Sequence, residues 1–337
     1  MSTPLKRILL LIAGFMVLLA LSLLLFRWQA QMRETQTYLT AAPATGRFVQ
    51  AGDVALFVQE MGNVTDPKVL LIHGTGAWSE IWRAPMAALA AVGFHAIAVD
   101  LPPFGFSQRP VTGDYSRQAQ AQRIVALLDA LQIEPVILVG HSVGGGPTIE
   151  AALFRPERVR ALVLVDAALN LQAPKGVQSA PSPLSRGFFA LRPLRNAVLA
   201  STITNPLFTK KLLQLLIHDP AAATPAYVQM LQQPLTLVDT TDALGDWLFS
   251  FLTMPVTGLS SEPTAYHTLT MPTLLLWGER DTITPLSQVA YLQEILPNAE
   301  LVVLPDVGHI PHIEDTAAFT ATVVRFLGTH GGKLARE

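Results

Sequence analysis

The chain contains no cysteine in 337 residues. That excludes disulfides, a thiol nucleophile and thiolate metal ligands, and it leaves the compartment open, since a disulfide-free chain is at home on either side of a membrane. Charge is scarce as well: Asp, Glu, Lys and Arg make up 14% of residues, and the formal net charge is −2. Residues 1–33 hold four Lys/Arg and no acid; without them, 19 basic side chains face 25 acidic ones, a balance of −6. With no basic stripe along the rest of the chain, nucleic acid is not an expected partner. The histidines are scattered without ligand spacing, so no metal and no cofactor is expected. Internal repeats and low-complexity tracts are missing too.

Apolar residues, by contrast, are abundant, at 50% with a mean hydropathy of +0.38. From Ile8 to Phe26, "ILLLIAGFMVLLALSLLLF" runs without a charge. At about 1.5 Å of rise per residue this stretch is just long enough to cross the hydrocarbon core of a bilayer. It exceeds the usual apolar region of a cleaved leader, and "FRWQAQM" is a poor cleavage site, so residues 1–35 are expected to be an uncleaved signal anchor. Lys6 and Arg7 before the run, against Arg27 and Arg33 after it, give a small bias toward a cytoplasmic amino terminus with the domain outside.

Beyond residue 46, short aliphatic runs alternate with helical patterns. The runs are "KVLLIHG" from Lys68, "HAIAVDLP" from His95, "PVILVGHS" from Pro135, "RALVLVDAA" from Arg160, "PTLLLWGERD" from Pro272 and "ELVVLPDVGH" from Glu300. Runs apolar throughout predict strands buried on both faces, and the alternation predicts an α/β fold with a mostly parallel sheet covered by helices. Ser116–Leu131, with apolar residues three and four apart, reads as one such helix. Gly46–Gly62 reads as a hairpin turning at Ala51-Gly52-Asp53. The alternation stops after Ala168 and resumes near Pro272. The intervening stretch reads as proline-punctuated helices, with starts at Asn205-Pro206 and Thr224-Pro225. The expected organisation is therefore a core of residues 36–170 and 269–337 with an inserted helical cap of residues 171–268.

One stretch demands chemistry. In "VILVGHSVGGGPTI" a predicted strand runs into Gly140-His141-Ser142-Val143-Gly144, then into a helix. A G-x-S-x-G at a strand-to-helix junction places the serine in a sharp, strained turn, where glycines two before and two after avoid backbone collision and leave the hydroxyl exposed. The helix that follows points its N–H groups and positive dipole end at the same spot.

Together with "LLIHGTG", "VDLPPFGFS", "VGHSVGG", "WGERD" and "VGHIPH", in that order and spacing, the chain resembles the α/β-hydrolase superfamily from Gly46 to its carboxyl end. The helical insertion is similar to the cap that many members carry there. The sequence departs from the usual pattern at Pro103, where the family more often has glycine.

The resemblance implies a serine nucleophile, Ser142, with His309 as its base and Asp281 as the carboxylate that orients the base. His312 competes with His309, and Asp166, which stands where some members carry the acid, competes with Asp281; Glu279 and Asp306 read as loop charges. The oxyanion hole is expected from the N–H groups of Val143 and Thr75. Gly74, Gly76, Trp78 and His141 are assigned to the substrate's surroundings, with His141 beneath the turn. His73 reads as a brace for the "HGTG" loop, and Asp100 and Ser107 read as structural.

Serine at the nucleophile position points to an acyl-serine intermediate or to serine-assisted C–C cleavage. The expected activity is hydrolysis of apolar or lipid-like carboxylic esters, with phenylalanines 188, 189, 208, 249 and 251 roofing a greasy pocket. The expected partners are thus a small ester and the membrane. C–C or other hydrolysis with the same triad, or a non-catalytic binding protein on the fold, are the alternatives.

Overall fold

Three of the strands, His95–Val99, Val136–His141 and Thr273–Gly278, are buried at every residue, as expected where helices cover both faces of a sheet. The computed structural model describes residues 3–169, 171 and 183–330; residues 172–182, where the expected cap begins, lie outside them. Its strands are β1 (Gly46–Ala51), β2 (Val54–Met61), β3 (Lys68–Ile72), β4 (His95–Val99), β5 (Val136–His141), β6 (Val159–Val165), β7 (Thr273–Gly278) and β8 (Ala299–Leu304). They form one sheet in the order β1-β2-β4-β3-β5-β6-β7-β8. β1 pairs antiparallel with β2, and β2 with β4; every other pairing is parallel. The expected α/β sheet, mostly parallel and flanked by helices, is what the structure has.

β5 lies at the centre of the sheet with every residue buried. Each Val, Ile or Leu taken fully out of water there contributes roughly 1.5–3 kcal/mol. Two clusters sandwich the sheet. One packs Ile124, Leu127 and Leu128 of the helix Arg117–Ala130 against Leu70 and Leu138. The other packs Phe319, Val323 and Phe326 of the helix Thr316–His330 against Val139, Val163 and Leu274. The helix Arg117–Ala130 begins where the pattern placed it, because the Ser116 side chain accepts the N–H of Ala119 as a cap.

Between β6 and β7 the described residues are helical, including the helices Pro183–Ala190, Arg192–Ser201, Pro225–Gln232 and Thr240–Thr253. Thr224 caps the helix Pro225–Gln232 through the N–H of Tyr227, and Asn205 caps a short 3₁₀ turn with Pro206 at its first position. Both Pro-led starts lie where the fixed φ of proline and its missing N–H cost nothing.

The apolar run forms part of one helix, Thr3–Arg33. It is long and apolar enough to cross a membrane, with mean hydropathy 3.0, and none of its most apolar window is buried in the protein. Its far end is fastened to the cap. Arg27 donates to both carboxylate oxygens of Asp242 at 2.9 Å, and Arg33 donates to the carbonyl of Leu235 at 3.0 Å. Glu34 is buried and accepts both the hydroxyl and the N–H of Thr241. Gln36 then forms a parallel bridge with Leu237.

These contacts predict a difference between two shortened chains. One starting at residue 23 keeps them all and should unfold in urea like the full chain. One starting at residue 38 loses them and should be destabilised by on the order of 2 kcal/mol or more, the scale of hydrogen bonds to charged groups. Equal midpoints for the two would show that the segment carries no stability.

Candidate active site

The site is built at the end of β5, where the chain turns from strand to helix within a few residues. Ser142 has φ of +51°, a conformation an L residue occupies only under constraint. Two glycines make the turn possible. A Cβ on Gly140 would lie 2.4 Å from the Thr148 hydroxyl, and one on Gly144 would lie 2.3 Å from the His73 carbonyl. The helix Gly145–Phe154 follows and directs its amino-terminal end at the serine.

The loops after β7 and β8 bring two further side chains to this serine. His309, beyond β8, sits with Nε2 2.8 Å from Ser142 Oγ. Its Nδ1 lies 2.8 Å from Asp281 Oδ2, beyond β7. An N–H on Nδ1 therefore donates to the carboxylate and leaves Nε2 free to accept the serine proton. Asp281 in turn accepts the N–H groups of Ile283 at 2.7 Å and Thr284 at 3.0 Å, and lies 2.5 Å from the Thr284 hydroxyl. Burial opposes its ionisation, but hydrogen bonds and charge at His309, with further bonds from Asp166 and Thr284, hold it below the usual carboxylate range. The His309 loop is pinned by Glu314, whose carboxylate accepts the N–H groups of Gly308 and Ile310, while the N–H of His309 itself donates to Leu216 of the cap.

Asp166, Asp281 and His309 are close enough to suit a metal ion. Both nitrogens of His309 are already engaged, by Asp281 and Ser142, so a metal would have to displace one of those bonds.

Three other histidines near the serine, His73, His141 and His312, are buried, and burial lowers the pKa of each. His73 donates from Nδ1 to the Gly74 carbonyl and accepts the Leu101 N–H at Nε2; burial lowers its pKa to about 4. It braces the loop that carries Thr75. His141 donates to the His309 carbonyl at 2.8 Å, and burial lowers it to about 3. His312 is stacked on Trp82 with centroids 4.1 Å apart and has no hydrogen-bond partner among the described residues. With no carboxylate beside it, His312 is not placed to act as the base.

Two cavities lie beside the serine turn, though Ser142 itself lines neither. The larger, about 410 Å³, is lined by Thr75, Gly76, Ile310 and cap leucines such as Leu212, Leu216 and Leu248. The smaller, about 310 Å³, is lined by Val143 and Gly144 together with Tyr115, Ser116, Arg117 and Gln120. Phe104, Trp247 and Phe251 line both, their rings in contact at 4.9 and 5.1 Å. Of the two residues expected to supply N–H donors to an oxyanion, Thr75 lines the larger cavity and Val143 the smaller one. The N–H of Thr75 has no backbone partner among the described residues, and that of Val143 lies in the first turn of a helix, where donors go unpaired.

Several expected substrate contacts lie elsewhere. Trp78 lines neither flanking cavity; it is buried against Phe106 and donates to the Met230 carbonyl, clamping the cap to the core. His141 and Gly74 are buried beneath the turn, because a Cβ on Gly74 would press on His141 and Ser142. Of the five cap phenylalanines, Phe251 alone lines these two cavities; Phe188 and Phe189 pack on each other instead. Asp100 is structural, accepting the N–H groups of Ser79 and Phe106, with burial raising it to about 6. Ser107 is structural too, bridging the Asp100 carbonyl and the Phe57 N–H. Phe104, Trp247, Arg117 and Glu314 escaped the sequence reading. Of these, only the Trp247–Phe251 spacing of four on a helix carried any signal.

The family described as the alpha/beta hydrolase fold matches residues 67–316. A 2-hydroxymuconate semialdehyde hydrolase of Pseudomonas sp. (strain CF600) is 30% identical over 292 residues, covering 85% of this chain and 95% of that protein. Lipase 1 of Psychrobacter immobilis is 30% identical over 271 residues, covering 78% and 77%. Among solved structures, a meta-cleavage product hydrolase from Pseudomonas fluorescens IP01 is similar with a TM-score of 0.66 and 26% identity, over 85% of this chain and 98% of that one. Sheet order, serine turn and family match coincide along the sequence, and the chain belongs to the α/β-hydrolase family.

Proposed function

We propose that the protein is a serine hydrolase that cleaves carboxylic esters with an apolar acyl group, and that it works at a membrane to which residues 1–35 anchor it. The observation that carries this reading is the hydrogen-bonded chain Ser142–His309–Asp281, at 2.8 Å for each link, beside a leucine-lined cavity of about 410 Å³ that is also lined by Thr75 and by Ile310, the neighbour of His309. That volume lies in the range of roughly 300–1,000 Å³ usual for small-molecule sites.

The chemistry follows from the placement. Ser142 Oγ attacks the ester carbonyl as His309 Nε2 takes its proton, and Asp281 stabilises the imidazolium that forms. The oxygen that becomes negative is received by the N–H groups of Thr75 and Val143; one such donor is worth about 2.7–4 kcal/mol of barrier. Collapse expels the alcohol, which takes the proton from His309 and leaves an acyl-serine. Water, deprotonated by His309, then releases the acid and restores Ser142. The acyl chain occupies the larger cavity and the alcohol the smaller one, beside Ser116 and Gln120.

The similarity to a 2-hydroxymuconate semialdehyde hydrolase favours a second reading, C–C cleavage with the same three residues. Such a substrate carries a carboxylate, which in a closed pocket needs a cation. The two cavity arginines are already used. Arg109 bonds the Val238 carbonyl and the Thr240 hydroxyl, and Arg117 bonds the Leu169 carbonyl and Ser260. An uncharged acyl group fits these surroundings better. The anchor reading draws support from the bonds between the helix Thr3–Arg33 and the cap, which a cleaved leader would forfeit. The small charge bias around the apolar run favours a hydrolase outside the cytoplasm.

A fluorophosphonate should label the wild-type protein at Ser142. Ser142→Ala should take no label and lose ester turnover by several orders of magnitude, with stability within about 1 kcal/mol of wild type. A folded wild-type protein that takes no label would identify a binding protein rather than an enzyme. Given esters graded in acyl length, with and without detergent micelles, the enzyme should prefer medium to long apolar chains. Faster cleavage of a meta-cleavage product than of any ester would replace this reading with the second.

Asp281→Asn should fold, because the amide keeps the shape, yet its rate at neutral pH should fall by roughly 10³–10⁴-fold through loss of charge and of the correct imidazole tautomer. Retention of most activity would mean that another group orients His309.

A further inference from the structure

Asp166 is the buried acid that the mechanism above leaves without a task. It follows β6 directly, at φ of +41°, and is bound on several sides to the strand and loop that carry Asp281. Its N–H donates to the Leu276 carbonyl at 3.0 Å, its Oδ1 accepts the Gly278 N–H at 2.9 Å, and its carbonyl accepts the Thr284 hydroxyl at 3.1 Å. Its other carboxyl oxygen, Oδ2, is buried and receives no donor among the described residues. Yet ligand atoms of Asp166, Asp281 and His309 all lie within 4.8 Å of one another.

Two ionised carboxylates at that separation, out of water, repel each other, and an ionised oxygen without a donor is costly to bury. A proton on Oδ2 removes both problems. It converts an orphan acceptor into a donor, and Asp281 is the acceptor beside it. We propose that Asp166 is a neutral carboxylic acid that donates a hydrogen bond to Asp281, and so acts as a positioning residue for the Asp281–His309 pair.

The charge settles on Asp281 rather than Asp166 because the donors are distributed unequally. Asp281 faces the N–H groups of Ile283 and Thr284 and the ring of His309, whereas the carboxyl of Asp166 accepts from Gly278. In keeping with this, burial and the neighbouring Asp281 push Asp166 well above the usual carboxylate range, with a smaller push from Glu314. The pair thus holds one negative charge beside His309.

This inference rests on the triad reading, so its test has an arm that needs no substrate. Infrared difference spectra of wild type against Asp166→Asn should show a carboxylic C=O stretch, shifted in D₂O, that the variant lacks. The amide of Asp166→Asn can accept from Gly278 and donate to Asp281, so kcat and the rate of fluorophosphonate labelling should stay within about threefold of wild type. Asp166→Ala, which cannot donate, should lose about tenfold or more in both, with KM little changed. Should Asp166→Ala fail to fold, the spectra and the Asn variant still decide. Absence of the carboxylic band, or a fall of roughly 10³-fold in Asp166→Asn, would overturn the proposal. The latter would make Asp166 the charged acid. Failure of every ester with the band present would strike the hydrolase reading alone.

Discussion

Ser142 holds φ of +51° because the chain passes from the central strand β5 into the helix Gly145–Phe154 with only a 3₁₀ turn between them. A conformation of this kind costs an L residue about 1–3 kcal/mol and persists only where the surroundings over-determine it. They do so here. The Thr148 hydroxyl donates to the Gly144 carbonyl at 2.7 Å, the Ala168 N–H donates to the Ser142 carbonyl at 2.9 Å, and Gly140 and Gly144 press against Thr148 and His73. The same packing that raises the hydroxyl above the sheet edge also brings the loops after β3, β6, β7 and β8 around it, since parallel neighbours all end on one side.

Four histidines lie near the turn, and the structure distinguishes them by what they face. His73 and His141 spend their donors on backbone carbonyls, and His312 faces the rings of Trp82, His141 and Phe319. Burial lowers all three pKa values. A second imidazolium beside His309 would compete for Asp281 and repel the cation that the proposed mechanism forms there. Keeping the three neutral leaves His309 as the histidine with both a carboxylate and the serine in reach.

The parts legible in the sequence are those governed by local pattern. β3 to β7 announce themselves as largely apolar runs because both sheet faces are covered, β8 as a shorter apolar run at the half-buried edge, and Ser142 announces itself through glycines that close backbone approach requires. The cavities were not legible, because their walls come from side chains far apart in sequence. Trp78 and Trp247 are similar residues near helix starts or on helices, but only the fold sends Trp78 to the Met230 carbonyl and Trp247 to the wall between the two cavities. The choice between Asp281 and Asp166 was equally hidden. Both end strands, and the difference lies in the Ile283 and Thr284 N–H groups that only the folded loop turns toward Asp281.

The cap is held to the rest of the chain at separated points. Met230 takes the indole N–H of Trp78, His218 and Asp219 give their N–H groups to Glu314, Leu216 takes the N–H of His309, and Asp242 takes Arg27. Glu314 thus joins the His309 loop to the cap directly, so the position of the base and the position of the roof are coupled through one carboxylate. Arg27 extends the coupling outward, since it follows the last residue of the apolar run within the same helix. At about 1.5 Å per residue, the helical stretch from Arg27 to Arg33 covers only about 10 Å. The roof of the larger cavity and the end of the apolar run are therefore parts of one fastened unit, and a force or a partner acting on that helix acts on the cap before it acts on the sheet.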